Sequence, residues 1–397
     1  MKLASRKTGG LSAFPDIVVV GGGCIGLACA AALAKRGLKV RLMERGLPGA
    51  ENTTLTGGGI RQQFGTELNI RMSQISAPFW RDFEIHCGVD PLFRRIGYLF
   101  LATQADEAAA LQRNVNLQNR LGVPSEYLNE DAVARRWPEL TGRGFVAAGF
   151  YSEDGWANHH RIAHGLMRAG LAAGVEVNVG TEVLSLRTSA GNTIGVATSD
   201  GDLDAGAVLV PCGPWDSQIL ASAGVPDFPV VGRRHELLLV EPKTALPAGL
   251  PWLIGVSDEV HLRSDTAGRV VVGGFLGEDR VADANDYDRR PDPGWRAQVL
   301  RKAAQVFGVI EDRPHVVRGW SGLYPSTPDR HPIIDLIDRG LFVASGFSGT
   351  GLMHAPAAAQ LTAELIVDGA ISSAAAKELS LSHFHEAVAA RGEQTGF

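Results

Sequence analysis

Gly21, Gly23 and Gly26 form Gly-x-Gly-x-x-Gly between the apolar run Asp16 to Val20 and the alanine-rich stretch Cys24 to Arg36, which Gly37 ends. A buried strand, a tight turn and a helix in that order leave few alternatives. The first glycine permits the turn, the second lets backbone approach a pyrophosphate, and the third lets helix pack on strand. The exposed amides and positive dipole end of the helix favour phosphate. A second strand, Lys39 to Glu44, ends in an acid about 20 residues beyond the motif, where a carboxylate accepts hydrogen bonds from a ribose. The spacing predicts an adenine dinucleotide on an amino-terminal βαβ unit, without choosing between nicotinamide and flavin forms.

A chain of 397 residues accommodates two domains with cores of their own. Its 48 glycines suit many tight turns and close approaches of backbone to a ligand. The net charge of −5, with both signs interspersed, carries no footprint for nucleic acid or an anionic membrane, and neither partner is expected. Four cysteines (Cys24, Cys29, Cys87, Cys212), none in a CxxC pair, argue for a reducing compartment, cytoplasm by default, and against a disulfide scaffold or zinc site. Met1 to Phe14 is basic but lacks a secretory apolar stretch and reads as a frayed arm. The run Cys24 to Ala34 is too short to span a bilayer, and no membrane span is expected elsewhere.

Beyond the first unit, helices are expected over Leu68 to Cys87, Asp106 to Leu121 and Asn158 to Gly174, with a strand over Ile96 to Ala102. Strands Val175 to Val179, Glu182 to Arg187, Ile194 to Thr198 and Ala207 to Val210 return the chain to an α/β sheet. Longer strands His235 to Val240, Val260 to Arg263 and Val270 to Gly273, separated by Gly, Pro and Asp turns, predict a mainly antiparallel second sheet. A helix over Pro293 to Val306 precedes a loop-rich stretch Arg318 to Asp335, a strand Leu341 to Ser345, a glycine loop and a helix to about Val367. The expected fold is α/β plus α+β. A discontinuous Rossmann-like dinucleotide domain (14–90, 146–228 and 318–370) embraces an antiparallel-sheet substrate domain (91–145 and 229–317). The tail 371–397 carries no recognisable chemistry.

Three further blocks carry a family likeness: Thr56-Gly57-Gly58-Gly59-Ile60-Arg61-Gln62-Gln63-Phe64, then Trp320 to Asp329 with Pro332-Ile333-Ile334-Asp335, then Gly346-Phe347-Ser348-Gly349-Thr350-Gly351-Leu352-Met353. In that order they resemble the FAD-dependent D-amino-acid oxidase/sarcosine oxidase superfamily, in particular its branch of sarcosine oxidase beta subunits and dye-linked L-proline dehydrogenases. The resemblance implies bound FAD and oxidation of the C–N bond of a small amino acid or secondary amine by hydride transfer to flavin N5, giving an imine that hydrolyses. No catalytic triad or metal is demanded by such chemistry.

Expected cofactor contacts are Gly21, Gly23, Cys24, Ile25, Gly26, Glu44, Arg45, Thr53, Thr54, Gly58, Gly59, Ile60, Val183, Cys212, Gly213, Trp215 and Leu323, with Gly346, Gly349, Thr350, Gly351, Leu352 and Met353 from the third block. A glycine loop entering a helix near Leu352 presents amides that stabilise charge on a reduced flavin. Carboxylate recognition asks for a bidentate cation, with Arg61, Arg234, Arg263 and Arg318 as candidates. His261 and Arg263 share one strand face, His261 is a candidate proton acceptor, and Tyr324 is a candidate pocket cap.

Departures from the resemblance carry expectations too. Gly322 stands near the place where monomeric sarcosine oxidase attaches flavin through cysteine, and no histidine lies between Glu44 and Arg61, so the FAD is expected to be non-covalent. Met353 replaces a flavin-side lysine, and Thr244 to Arg301 contains none, which favours a dehydrogenase over an oxidase. The electron acceptor is left open among oxygen, a quinone and a redox protein, and the oligomeric state is open. A 2-hydroxy-acid oxidoreductase and a non-catalytic FAD-binding assembly partner are the alternatives.

Overall fold

The structure is a computed structural model that describes residues 14–247, 249–276, 280–372 and 374–385. The expected amino-terminal arm lies almost wholly outside them, as does the end of the tail. The chain opens as its glycine pattern dictates, with β1 (Ile17–Val20), α1 (Cys24–Lys35) and β2 (Val40–Glu44). Every residue of β1 is buried, as a central parallel strand covered on both faces requires.

A short strand β3 (Gly59–Ile60) precedes α2 (Glu67–Arg81) and α3 (Phe83–Cys87). The single helix expected over Leu68 to Cys87 is thus broken at Asp82, whose φ of −104° and ψ of 21° leave the helical region. β4 (Tyr98–Ala102), α4 (Ala105–Arg120), β5 (Glu126–Asn129), α5 (Glu130–Arg136), β6 (Ala147–Tyr151) and β7 (Gly155–Trp156) follow. α6 (His159–Ala172) begins where the Asn158 side chain accepts a hydrogen bond from the Arg161 amide at 3.1 Å. Then come β8 (Glu176–Val179), β9 (Val183–Ser189), β10 (Asn192–Thr198), β11 (Gly201–Asp204), β12 (Val208–Val210) and α7 (Asp216–Ala221).

β13 (Val231–Glu241), β14 (Trp252–Gly255), β15 (Val260–Ser264) and β16 (Val270–Gly274) are the long strands expected from the turn-rich pattern. α8 (Pro293–Phe307) is capped by Asp292 and stopped by Gly308 at φ +66°. The last elements are β17 (His315–Ser326), β18 (Ile333–Asp338), β19 (Leu341–Ser345) and α9 (Gly351–Ala363), which runs on through one wide turn, Glu364–Asp368.

Two sheets dominate. The first has the order β18-β19-β12-β1-β2-β8, parallel except for the antiparallel β18. β1 has β2 on one side and β12 on the other, so the crevice past its carboxyl end is where an open α/β sheet binds its ligand. The second has the order β17-β13-β16-β15-β14-β4-β6-β5 and is mostly antiparallel. Its period-2 alternation separates two cores. Leu99, Leu101, Leu253 and Leu262 face α8, whereas Tyr98, Phe100, Trp252 and Ile254 form the other face.

The fold class expected from the sequence is present, and besides the broken helix one further element differs from its sequence reading. Residues 318–326 are part of a twelve-residue strand, not a loop, paired along β13 from Val231↔Ser326 to Glu241↔His315. Residues 147–151 and 318–326, assigned from sequence to cofactor-domain segments, hydrogen-bond within the eight-stranded sheet.

Candidate active site

At the turn after β1, Gly21 adopts φ +97°, and a Cβ on Gly26 would stand 2.0 Å from the Gly21 carbonyl oxygen. Only glycine at both positions lets α1 start this close to the strand. Glu44, at the end of β2, is oriented by two backbone amides: Gly22 donates to Oε2 at 2.6 Å and Gly46 to Oε1 at 2.7 Å. The carboxylate is thereby fixed, with lone pairs left for a diol.

A cleft of about 380 Å³ starts here. Among the expected residues it is lined by Gly21, Gly23, Cys24, Ile25, Glu44, Arg45, Thr53, Val183, Cys212, Gly213 and Trp215, and also by Leu323, Tyr324, Gly346, Gly349, Gly351 and Leu352. Arg45 stacks on Trp215 with its guanidinium carbon 4.4 Å from the ring centre. Thr53 Oγ1 accepts from the Cys24 amide at 3.0 Å and ties the 52–54 turn to the helix start.

The other expected cofactor residues do not line this cleft. Gly26 packs under the turn. Thr54 donates to Ala50 and Glu51 carbonyls, and Thr350 donates to the Phe347 carbonyl. Gly58 and Gly59 leave no room for a Cβ, which would meet the Ala157 oxygen at 2.4 Å and the Tyr98 hydroxyl at 2.2 Å. Ile60 and Met353 line a second cavity of about 330 Å³.

The antiparallel sheet closes the inner part of the cleft. His235 on β13, Phe275 after β16 and Tyr324 on β17 form an aromatic group, with ring centroids 4.1 Å apart for His235–Tyr324 and 4.7 Å for His235–Phe275. These three, with Asn52, Thr56 and His261, line a small cavity of about 30 Å³ that shares Asn52, Thr56, Leu323 and Tyr324 with the cleft. Gly349, at φ +93°, accommodates the Tyr324 ring, which a Cβ would approach to 2.5 Å. Asn52 Oδ1 accepts from the Leu323 amide at 2.7 Å, locking the 52–55 turn onto β17.

His261 and Arg263 do share a face, but neither is placed as the sequence led us to expect. Trp252 Nε1 donates to His261 Nδ1 at 3.3 Å, so the neutral ring carries its proton on Nε2 and has no lone pair to accept another. Burial, then the charge of Arg263, pulls this imidazole down to about 3. That contact and the burial argue against His261 as a proton acceptor. Arg263 directs its fork at the Gly57 carbonyl, at 2.7 and 3.1 Å, and lies over Trp156 at 4.0 Å. It fastens the eight-stranded sheet to the 57–60 segment, and Nη1 donates to the Ser264 carbonyl at 3.1 Å.

Arg234 bonds the Asp288 and Arg290 carbonyls and pairs with Glu236 at 2.9 Å, and Arg318 lies exposed over Trp320. Arg61, 1 % exposed, lies over Phe64 at 4.2 Å and reaches the second cavity beside Met353, Ser76, Trp80 and Asp154. Asp154 accepts from the Gln62 amide at 2.7 Å and Gln63 Nε2 at 3.0 Å, and burial raises its carboxyl to about 7 against those bonds. Sequence reasoning missed Asn52, His235, Phe275 and Asp154. The period-2 pattern of β13 puts His235 and Leu237 on one face and was the available signal for His235.

The residues of the cleft fit an adenine dinucleotide: a fixed carboxylate near the first turn, glycines where side chains would intrude, and a second glycine loop entering α9. Comparison with known proteins agrees. Residues 16–365 match the family described as FAD dependent oxidoreductase. The chain is 30 % identical to FAD-dependent oxidoreductase domain-containing protein 1 of Xenopus laevis, over 93 % of this chain and 81 % of that protein. It is 28 % identical to the sarcosine oxidase subunit beta of Rhodobacter capsulatus, over 94 % and 89 %. L-proline dehydrogenase from P. horikoshii superposes with a TM-score of 0.86 at 28 % identity, covering 95 % of this chain and 99 % of that one. A flavin dinucleotide is thus the cofactor for which this cleft is built, and the chain belongs to the FAD-dependent oxidoreductase family of the D-amino-acid oxidase type.

Proposed function

We propose that this protein oxidises the C–N bond of a small amino acid or secondary amine, N-methylated or cyclic. The observation that carries the reading is the aromatic cavity of His235, Phe275 and Tyr324, opening on the cleft at Tyr324 beside the Gly346–Leu352 loop. Bound FAD would supply the two-electron acceptor for hydride from the carbon next to nitrogen.

The chain's own residues would bind and orient. The aromatic group and Leu237 hold the amine substituent and exclude water, which holds the reacting carbon at a near-attack distance. Arg61, whose Nη1 donates to the Gln63 carbonyl at 2.7 Å and which lines the second cavity beside the 57–60 segment, is the arginine assigned to the substrate carboxylate. His235 is the imidazole at the cavity assigned to the amine proton. The imine product hydrolyses in water without a further catalytic group.

FAD is held without a covalent bond in this reading. The cysteines lining the cleft are poor nucleophiles, because burial pushes the Cys24 thiol up to about 11 and the Cys212 thiol well above its ordinary range. Acid-denatured protein should release all its flavin into the supernatant, and yellow pellets would contradict this. Met353, buried and uncharged, stands where the resemblance has a flavin-side lysine, which supports a dehydrogenase that passes electrons to a quinone or redox protein. Anaerobic mixing with glycine, sarcosine, proline, hydroxyproline and D-amino acids tests the activity. Bleaching of the visible flavin band by at least one amine is expected, and a protein that stays yellow with all of them, or bleaches only with 2-hydroxy acids, overturns the reading.

A further inference from the structure

We infer that Asp329, His331 and His383 form a site for a divalent transition metal, zinc-like in its ligand preference, which clamps the 381–385 segment to the back of the flavin-side glycine loop. Asp329 and His331 lie in the turn between β17 and β18, and His383 lies in the carboxyl-terminal turn Leu381–His385. One atom from each lies within 4.8 Å of the other two. The site is separate from the cleft and uses none of its lining residues.

The two carboxylate oxygens of Asp329 have different surroundings. Oδ1 accepts from the His331 amide at 3.0 Å and the Thr327 hydroxyl at 3.3 Å, which fixes the side chain. Oδ2 faces the two imidazoles, 2.9 Å from His383 Nε2 and 3.3 Å from His331 Nδ1. His331 Nδ1 points into this cluster from a side chain 5 % exposed, yet makes no hydrogen bond. At the other edge of the ring Nε2 lies 3.2 Å from Thr66 Oγ1. With the Nε2 proton given to Thr66, Nδ1 presents a lone pair to a carboxylate oxygen, an arrangement that a cation between them resolves.

The spacing fits a small ion. Metal–ligand bonds of about 2.0–2.1 Å put tetrahedral ligands roughly 3.3 Å apart and octahedral ones about 2.9 Å apart. The separations of 3.3 and 2.9 Å fall within the range these two geometries span. Two imidazoles with one carboxylate favour zinc, cobalt or nickel over magnesium and calcium, which prefer oxygen. Three protein ligands leave a position for water.

The clamp has a structural consequence near the cofactor. Thr327, whose hydroxyl donates to Asp329, donates its amide to Ser348 Oγ at 3.3 Å, and its methyl occupies the space beside Gly346. Leu381 and Ser380 are already tied to Asp335, so a metal on His383 completes the attachment of this segment.

Tag-free holoprotein, stripped with a chelator and dialysed, tests the site by titration with Zn²⁺ against a chromophoric competitor. One ion per chain is expected. His331→Ala and His383→Ala should each weaken it at least about tenfold. Zn²⁺ should also slow amide exchange in residues 381–385 of the wild type but not of His383→Ala. His383 is partly exposed and makes no tertiary hydrogen bond other than that to Asp329 among the described residues, so His383→Ala decides the matter even where His331→Ala fails to fold. No stoichiometric binding, or binding unchanged by His383→Ala, overturns the inference.

Discussion

Arg61 and Arg263 are both buried arginines near the 57–63 segment, and each donates to a protein carbonyl, Gln63 for Arg61 and Gly57 for Arg263. Arg263 spends its fork on the Gly57 carbonyl between two tryptophans, and burial lowers it to about 10. Arg263→Gln should therefore lower the melting temperature and flavin retention, by a stability loss of about 1–3 kcal/mol for the buried Gly57 carbonyl left without its donors. Arg61→Gln should instead raise KM for carboxylate-bearing substrates by roughly 10–100-fold, as loss of a charge-assisted hydrogen bond of about 1.5–3 kcal/mol does, and spare amines without a carboxylate. Equal effects on both substrate classes would remove Arg61 from substrate binding. The buried Asp154 and Asp216 carboxyls are both raised to about 7, chiefly by burial. A raised carboxyl contributes stability that is fully present below its unfolded value near 3.8 and is lost as pH climbs toward 7. Stability should thus fall between about pH 4 and 7, and Asp154→Asn should remove about half of that slope in denaturant titrations at stepped pH. At this scale the sequence identified the glycines and Glu44 because their chemistry is local. It placed His261 on the correct face but could not reveal that Trp252 takes its lone pair, since that contact depends on the register of β14 against β15.

Among the elements, the first βαβ unit was legible because a glycine motif and two apolar strands agree within 30 residues. β17 was not, because Gly319, Gly322, Pro325 and Pro328 read as loop punctuation. The structure explains each of the two strand glycines by close approach: a Cβ on Gly319 would meet Pro291 at 2.6 Å, and one on Gly322 would meet Leu55 at 3.1 Å. Pairing with β13, remote in sequence, supplies the strand. The glycine loop between β19 and α9 repeats the principle, with Gly346 and Gly349 both at positive φ. Gly349→Ala should displace the Tyr324 ring and reduce kcat at least tenfold while leaving flavin bound, measured by steady-state kinetics alongside the flavin-to-protein absorbance ratio. Unchanged kcat would show that the Tyr324 position does not matter. His383, by contrast, sits in a tail that the sequence marked as chemically silent, because its partners lie 52 and 54 positions earlier.

On the scale of the whole molecule, a mostly parallel sheet carries the dinucleotide cleft, and an antiparallel sheet supplies the wall against which we propose a substrate is held. The chain crosses between them several times, so segment boundaries drawn from composition cut through β17 and set β6 with the wrong sheet. No helix among the described residues is long and apolar enough to cross a membrane. The proposed substrate wall was not written in the motifs, because His235 on β13, Phe275 after β16 and Tyr324 on β17 are brought together only by folding. The most direct test is an anaerobic single turnover with the best substrate of the amine panel, in which reduced flavin and released ammonia or alkylamine are counted together. One nitrogen product per flavin reduced is expected, whereas flavin reduction without a nitrogen product would contradict oxidation at the C–N bond.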